Sequence, residues 1–521
     1  MKNQKKIFRI AGITIVIIVI ILVAGSFLFS YFVKQKINEA RFGVFKLKSD
    51  KTETSLLSRK ITLNNAKLAA QNSNTKIIIP KAKISGIKLL HLLFGNEMTV
   101  ENFEISGSTV HLYKKTVKTS AEPADTKSSS DSQIIKIKHL NISDLQFYYL
   151  NENQNKPDTV FSISLDFAMW DFNTDSTAAK NFRSPLFQFD RVELSAENGE
   201  LKVKNGLYNL IFSKMNFDSE QPDLTVASAE FISPYGKYEI GQHTGVETDW
   251  YNLQLDSIRF NNIKLSKSLQ DTVLILEETF IQNIKAEIFR DKRLPFPEKP
   301  DTKLPAELVQ DIPFGLHSDS LVIQHADIEY EERAEESEEA GKVTFNSLHA
   351  KIKNISNSDS LKKRPMTLSA VAEVMNSATL SADFIFTIPE TQQPSQVTGS
   401  LEPTQFSIFN PMVKPYANVE IQSGQTERLA FNFDYNNVHS GGDMIFEYKN
   451  LDFVMLNKKD NSKKLVFTFL AKTFIVQKQN IQENNSYKKG EISHERDPKK
   501  SVFNYWWKSL LSGLKSVAVN P

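Results

Sequence analysis

Between residues 161 and 169 every second position is large and apolar: Phe161, Ile163, Leu165, Phe167 and Met169 alternate with Ser, Ser, Asp and Ala. A period of two marks a strand with one face covered and the other wet. It recurs at Leu380, Ala382, Phe384, Phe386 and Ile388, at Leu429, Phe431, Phe433 and Tyr435, and at Leu465, Phe467 and Phe469. Such strands belong mainly to antiparallel sheets. A weaker repeat accompanies the alternation, because 100–113, 137–148 and 321–330 all read as strand, brief break, strand. Units of this kind stack and share one continuous core.

Two other periodicities break the pattern. Residues 10–33 carry no charge and follow Lys2, Lys5, Lys6 and Arg9; the run includes Ile10, Ile15, Ile18, Ile21, Phe27 and Phe32. As a helix it would span about 36 Å, enough to cross a bilayer core. The basic start then predicts an inside N-terminus and a body outside the cytoplasm, although Lys34 and Lys36 dilute the asymmetry. A cleaved signal peptide ending near Val23-Ala24-Gly25 is the competing reading, but the apolar run continues beyond that point. At the other end Phe503, Trp507, Leu510, Leu514 and Val517 recur at helical spacing, with Lys508, Ser509, Ser512, Lys515 and Ser516 opposite. This predicts an amphipathic helix over 501–521 with paired Trp506 and Trp507, either a cap on the β body or an interfacial membrane contact. The short apolar piece 87–94 reads as a helical plug.

Three segments punctuate the body. Residues 116–133 are Ser-, Thr-, Asp- and Lys-rich and read as a flexible loop; 331–341 is acidic and reads as a hairpin tip or disordered loop. Five prolines between 294 and 313 make that stretch the best internal boundary. The expected organisation is therefore 1–33 basic start and anchor, 34–300 and 301–500 two β regions, and 501–521 the helix.

Composition narrows the chemistry. The 63 Lys+Arg nearly balance 61 Asp+Glu, which removes the main electrostatic reason to expect nucleic acid. Thirty-six Phe beside 19 Gly and 19 Pro favour strands over disorder. With no cysteine, disulfides, thiolate metal sites and thiol nucleophiles are excluded together. The nine histidines fall in no compact ligand spacing, with His317 and His325 read as surface residues, and no nucleophile elbow or phosphate loop is present. Gly441, Gly442 and Asp443 read as a hairpin turn. The sequence predicts neither an enzyme nor a cofactor.

These features resemble a known family. The basic start, the single N-terminal span, the 322–330 repeat (Val-Ile-Gln-His-Ala-Asp-Ile-Glu-Tyr) and the stretch with Gly399, Pro403, Phe409, Pro411, Gly424, Leu429 and Phe431 look like AsmA-like proteins of Gram-negative envelopes; 84–94 followed by 100–113 would match the family's N-terminal strand, short helix and strand pair. The resemblance implies an elongated, curved antiparallel β-sheet, groove or sandwich-like, with a few short helices. It implies an inner-membrane protein, single-pass with its bulk periplasmic, that moves phospholipid or lipopolysaccharide along an apolar β groove during outer-membrane biogenesis. Candidate groove residues are Phe161, Ile163, Leu165, Phe167, Phe431 and Phe433, which on sequence alone fit a closed core equally well. The alternative is an envelope assembly or scaffold factor that binds protein partners through sheet edges.

Overall fold

The computed structural model describes residues 41–42, 45–70, 75–88, 97–113, 134–151, 158–174, 188–267, 272–358, 364–387, 393–456, 477–483 and 487–518. The expected anchor at 1–33, the loop 116–133, most of the 87–94 plug and the 465–469 strand lie outside them. Among the described residues no helix is long and apolar enough to cross a membrane. The chain is mainly β and forms two compact units, Met1–Gly206 with Ile211–Pro222, and Leu207–Leu210 with Asp223–Pro521.

The first unit contains β1 (Arg41–Phe42), β2 (Phe45–Ser55), β3 (Lys60–Ala70), β4 (Lys76–Ser85), β5 (Glu97–Ser106), β6 (Thr109–Tyr113), β7 (Ile134–Asn151), β8 (Asp158–Asn173), β9 (Arg191–Val203) and most of β10 (Tyr208–Asp218). β1 to β4 are antiparallel neighbours. β4 then pairs with both β5 and β6, and these two lie parallel to β7. β8 and β9 return antiparallel.

The second unit comprises β11 (Asp223–Ile232), α1 (Glu239–Thr244), β12 (Trp250–Asn261), β13 (Lys264–Lys267), β14 (Thr272–Asp291), α2 (Pro305–Gln310), β15 (Gly315–Arg333), β16 (Gly341–Ser356), β17 (Met366–Val374), β18 (Ala378–Phe386), β19 (Ser395–Leu401), β20 (Thr404–Gln405), α3 (Asn410–Ala417), β21 (Val419–Tyr435), β22 (His439–Met455), β23 (Gly490–Glu495) and α4 (Val502–Ala518). Its neighbours are antiparallel except β14 and β15, which run parallel. The sheet is therefore mixed, not antiparallel throughout as the alternation predicts. Alternation reports one covered face and is blind to strand direction; parallel neighbours need a crossover of a dozen or more residues, and the proline-rich segment after Asp291 supplies it inside the second unit.

Two local readings are corrected. Gly441 and Gly442 lie within β22, and the turn sits earlier, where Asn436 N donates to His439 O (3.1 Å). Gly442 is there because a Cβ would collide with the backbone of β21 at Asn432 and Phe433. The stripe from Phe503 to Val517 holds in its second half, where Leu510 and Leu514 pack on the core and Val517 is buried, but the docking face is turned toward residues read as the polar side. Tyr505, Ser509, Gly513 and Val517 are the buried positions, whereas Phe503 and Trp507 are 73% and 54% exposed. Small residues bring the helix close to the sheet: a Cβ on Gly490 would lie 2.9 Å from Gly513 O, and Ser440 and Ser509 hydroxyls meet at 2.7 Å. α4 closes over a core of Phe431, Phe433, Tyr435, Met444, Phe446, Tyr448 and Ile492.

Candidate functional site

Residues directly opposite on neighbouring strands share a face, so the register identifies which side chains form each surface. In the first unit one row crosses the sheet as Leu63, Ala82, Ile105, Ile142, Phe167 and Leu194. A second runs Ile61, Ile84, Phe103, Leu140, Met169 and Val192, and a third Leu68, Ile77, Val110, Phe147, Ile163 and Gly199. The opposite face carries rows such as Gln146, Ser164 and Asn198, or Thr62, Lys83 and Glu104. Its side chains pair with one another, as Gln146 Nε2 does with Ser164 Oγ (2.8 Å) and Lys83 Nζ with Glu104 (2.7 Å).

The second unit repeats this at greater width. One row is Val226, Ile258, Ile281, Ile323, Ala350, Ala370, Ala382, Gly399, Phe431 and Met444, apolar on every strand. The next is Leu224, Phe260, Thr279, Leu321, Ile352, Leu368, Phe384, Val397, Phe433, Gly442 and Ile492.

One backbone device keeps these faces apolar along strands of up to 20 residues. Asn65, Gly107, Asp144, Asn283, His325, Ser347 and Asn450 all have φ between 48° and 66°. Each follows an apolar residue by two positions, and apolar residues mostly stand one and three positions after it, as in Ile142, Asp144, Leu145, Phe147 or Ile281, Asn283, Ile284, Ala286. A left-handed residue inserts one step, so side chains on both sides of the break return to the same face and the strand bends there. Asn, Asp, Gly and His tolerate that conformation best. The breaks line up: Asn283 lies between the pairs Gln282/Gln324 and Ile284/Ala326, hence opposite His325. The repeat read from the sequence is this bulge.

The sequence-derived groove residues fall in two environments. Phe161, Leu165 and Phe167 on β8 are half-buried and Ile163 is buried, all on the apolar face of the first unit with Tyr149, Phe147, Leu145 and Ile142 opposite. Phe431 and Phe433 lie in the core beside α4, Phe433 with 1% exposure. Trp506, Leu510 and Leu514 pack against that core, with Trp506 4.7 Å from Phe384 between ring centroids. His317 meets Asp319 (3.1 Å), and His325 meets the His349 ring.

Sequence reasoning missed a charged group at one end of the second unit's apolar face. Arg290 holds Asp249 through two hydrogen bonds (2.5 and 2.7 Å), Tyr251 Oη donates to Asp249 Oδ2 (3.2 Å), and Tyr208 Oη donates to the Asp249 carbonyl. Beside them Lys292 pairs with Glu332 (2.6 Å), to which Tyr330 Oη donates (2.7 Å). Burial alone would raise the Asp249 carboxyl, but Arg290 outweighs it and holds it below its usual range. Burial, helped by Asp249, pushes the Tyr208 phenol up to about 12. Burial likewise raises the Glu247 carboxyl, against the pull of Lys500, Arg290 and Lys292. No local motif announces this group, since Asp249 and Arg290 come together only through β12–β14 pairing.

No family model and no curated protein matches the chain.

Proposed function

We propose that the protein binds the acyl chains of membrane lipids along its apolar β faces and acts as a periplasmic, inner-membrane-anchored lipid-handling protein of the AsmA-like kind. The observation that carries the reading is the first unit's rows of cross-strand apolar residues, continuous over six strands and half-buried at Phe147, Phe161, Leu165 and Phe167. A closed core would bury such side chains as fully as the second unit buries Phe433 and Tyr435. Acyl chains laid on this surface gain about 0.8 kcal/mol per CH₂ removed from water. The repeated bulges bend each long strand while keeping its apolar positions on one side, which suits a surface that accepts a chain in any register.

The test is native mass spectrometry with lipid extraction on the full-length chain purified from membranes. Stoichiometric phospholipid or lipopolysaccharide supports the reading. A lipid-free protein that takes up none from mixed micelles contradicts it.

A further inference from the structure

At the polar end of the second unit's apolar face the charges do not cancel. Asp249 is paired with Arg290 and Glu332 with Lys292. Glu247, Lys299 and Lys500 remain, and among the described residues neither lysine has an ion-pair partner. Both ammonium groups lie against one ring: Lys500 Nζ is 3.3 Å and Lys299 Nζ 5.1 Å from the centroid of Phe296. The backbone fixes this arrangement from two sides, because Glu247 N donates to Pro295 O (2.9 Å) and Thr302 N to Pro498 O (2.7 Å). Arg496 also donates to the Thr302 carbonyl.

Two ammonium groups gathered about one ring repel each other, and the backbone on both flanks is tied down. Burial and the neighbouring Arg290 charge hold the Lys299 amine below its usual range, the sign of a cation short of counter-charge. An anion with several acceptor oxygens that reached both ammonium groups would make charge-assisted hydrogen bonds to each. Beyond the charged row the face continues as Tyr251, Ile288 and Tyr330 and then, wholly apolar, as Leu253, Ala286 and Ile328.

We propose that Lys299 and Lys500, set about Phe296, are the seat of a phosphate group, supplied by the headgroup of a phospholipid whose chains lie on the apolar rows beyond. The seat's chemistry stands on the two lysines; that a lipid supplies the phosphate rests on the lipid-binding reading above. Lysine serves here as a flexible point-charge donor of up to three hydrogen bonds to phosphate oxygens.

The experiment uses the full-length protein with three probes: phosphatidylglycerol, diacylglycerol with the same chains, and inorganic phosphate. The wild type is expected to retain phosphatidylglycerol at least about tenfold better than diacylglycerol, close to one charge-assisted contact. Lys299→Gln/Lys500→Gln should bring phosphatidylglycerol down to the diacylglycerol level and leave diacylglycerol unchanged, while Lys299→Arg/Lys500→Arg should keep the preference. An unchanged preference in the glutamine variant overturns the proposal. If the wild type holds neither lipid, the lipid reading fails, and ³¹P line broadening of inorganic phosphate decides the seat alone: broadening lost in the glutamine variant sustains it as a free-phosphate site, and no broadening in the wild type overturns it.

Discussion

The ring of Phe212 on β10 fills the space that a side chain at Gly199 on β9 would need, and a Cβ there would lie only 2.1 Å from its Cζ. Phe431 stands over Gly399 in the same way in the second unit. Each glycine sits on an apolar row, so its missing side chain is replaced by a neighbour's ring and the face stays continuous. Gly199→Val forces Phe212 out of its place, and overpacking of this kind costs about 1–3 kcal/mol. Urea unfolding should report that loss as a lower midpoint, with Gly399→Val behaving alike.

The left-handed breaks make a second, sharper prediction. Asn65 has φ 52°, where a β-branched residue is disfavoured by roughly 1–2 kcal/mol and glycine is not. Asn65→Val should therefore destabilise the chain by about that amount, while Asn65→Gly changes it by a few tenths of a kcal/mol at most. Equal losses for both would show that Asn65 acts through its side chain.

Breaking the Asp249–Arg290 pair leaves one buried charge uncompensated, so Asp249→Asn or Arg290→Leu alone should cost about 3–5 kcal/mol. Replacing both should cost less than the sum of the two. The pH dependence has a definite sign. Asp249 has a lowered carboxyl pKa in the fold, so its stabilisation is complete above the ordinary value of 3.8 and disappears as pH falls through the folded value. Glu247 is shifted the other way. Its ionised form is the disfavoured one, so Glu247→Gln should raise the melting temperature at neutral pH and have no effect below the ordinary value of 4.5, where folded and unfolded states are both protonated.

Docking of α4 depends on small residues. A Cβ on Gly513 would lie 2.8 Å from Ile492 Cγ1 and 3.0 Å from Met444 Cε, so Gly513→Leu should release the helix and raise the fluorescence quenching of Trp506 by a soluble quencher. Phe503→Ser, at an exposed position, should leave stability within about 0.5 kcal/mol of wild type.

Among the described residues the strands were legible at strict alternation, as at Phe161 to Met169 and Leu429 to Tyr435, because a period of two is the mark of a strand with one face covered. The parallel pairs β5–β7 and β14–β15 were not, since strand direction leaves no mark on alternation. The repeats at 100–113, 137–148 and 321–330 were visible, but their cause was hidden until the positive φ of Gly107, Asp144 and His325 explained the break. A spacing rule of apolar, any, Asn/Asp/Gly/His, apolar would have found most of them. The α4 stripe was right for Leu510, Leu514 and Val517 and missed Ser509 and Gly513, because hydrophobic periodicity marks the greasiest face whereas close approach to β23 selects small residues. The Asp249 group was invisible because its members meet only through register.

The lipid-binding account stands or falls on which face of β8 touches acyl chains. A photo-crosslinking residue placed in the full-length protein at Leu165, which shares a face with Phe161 and Phe167, should capture lipid in native membranes. The same residue at Asp166, exposed on the opposite face, should not. Lipid adducts confined to position 165 are the predicted result; no adduct at 165, or equal adducts at both positions, contradicts the account.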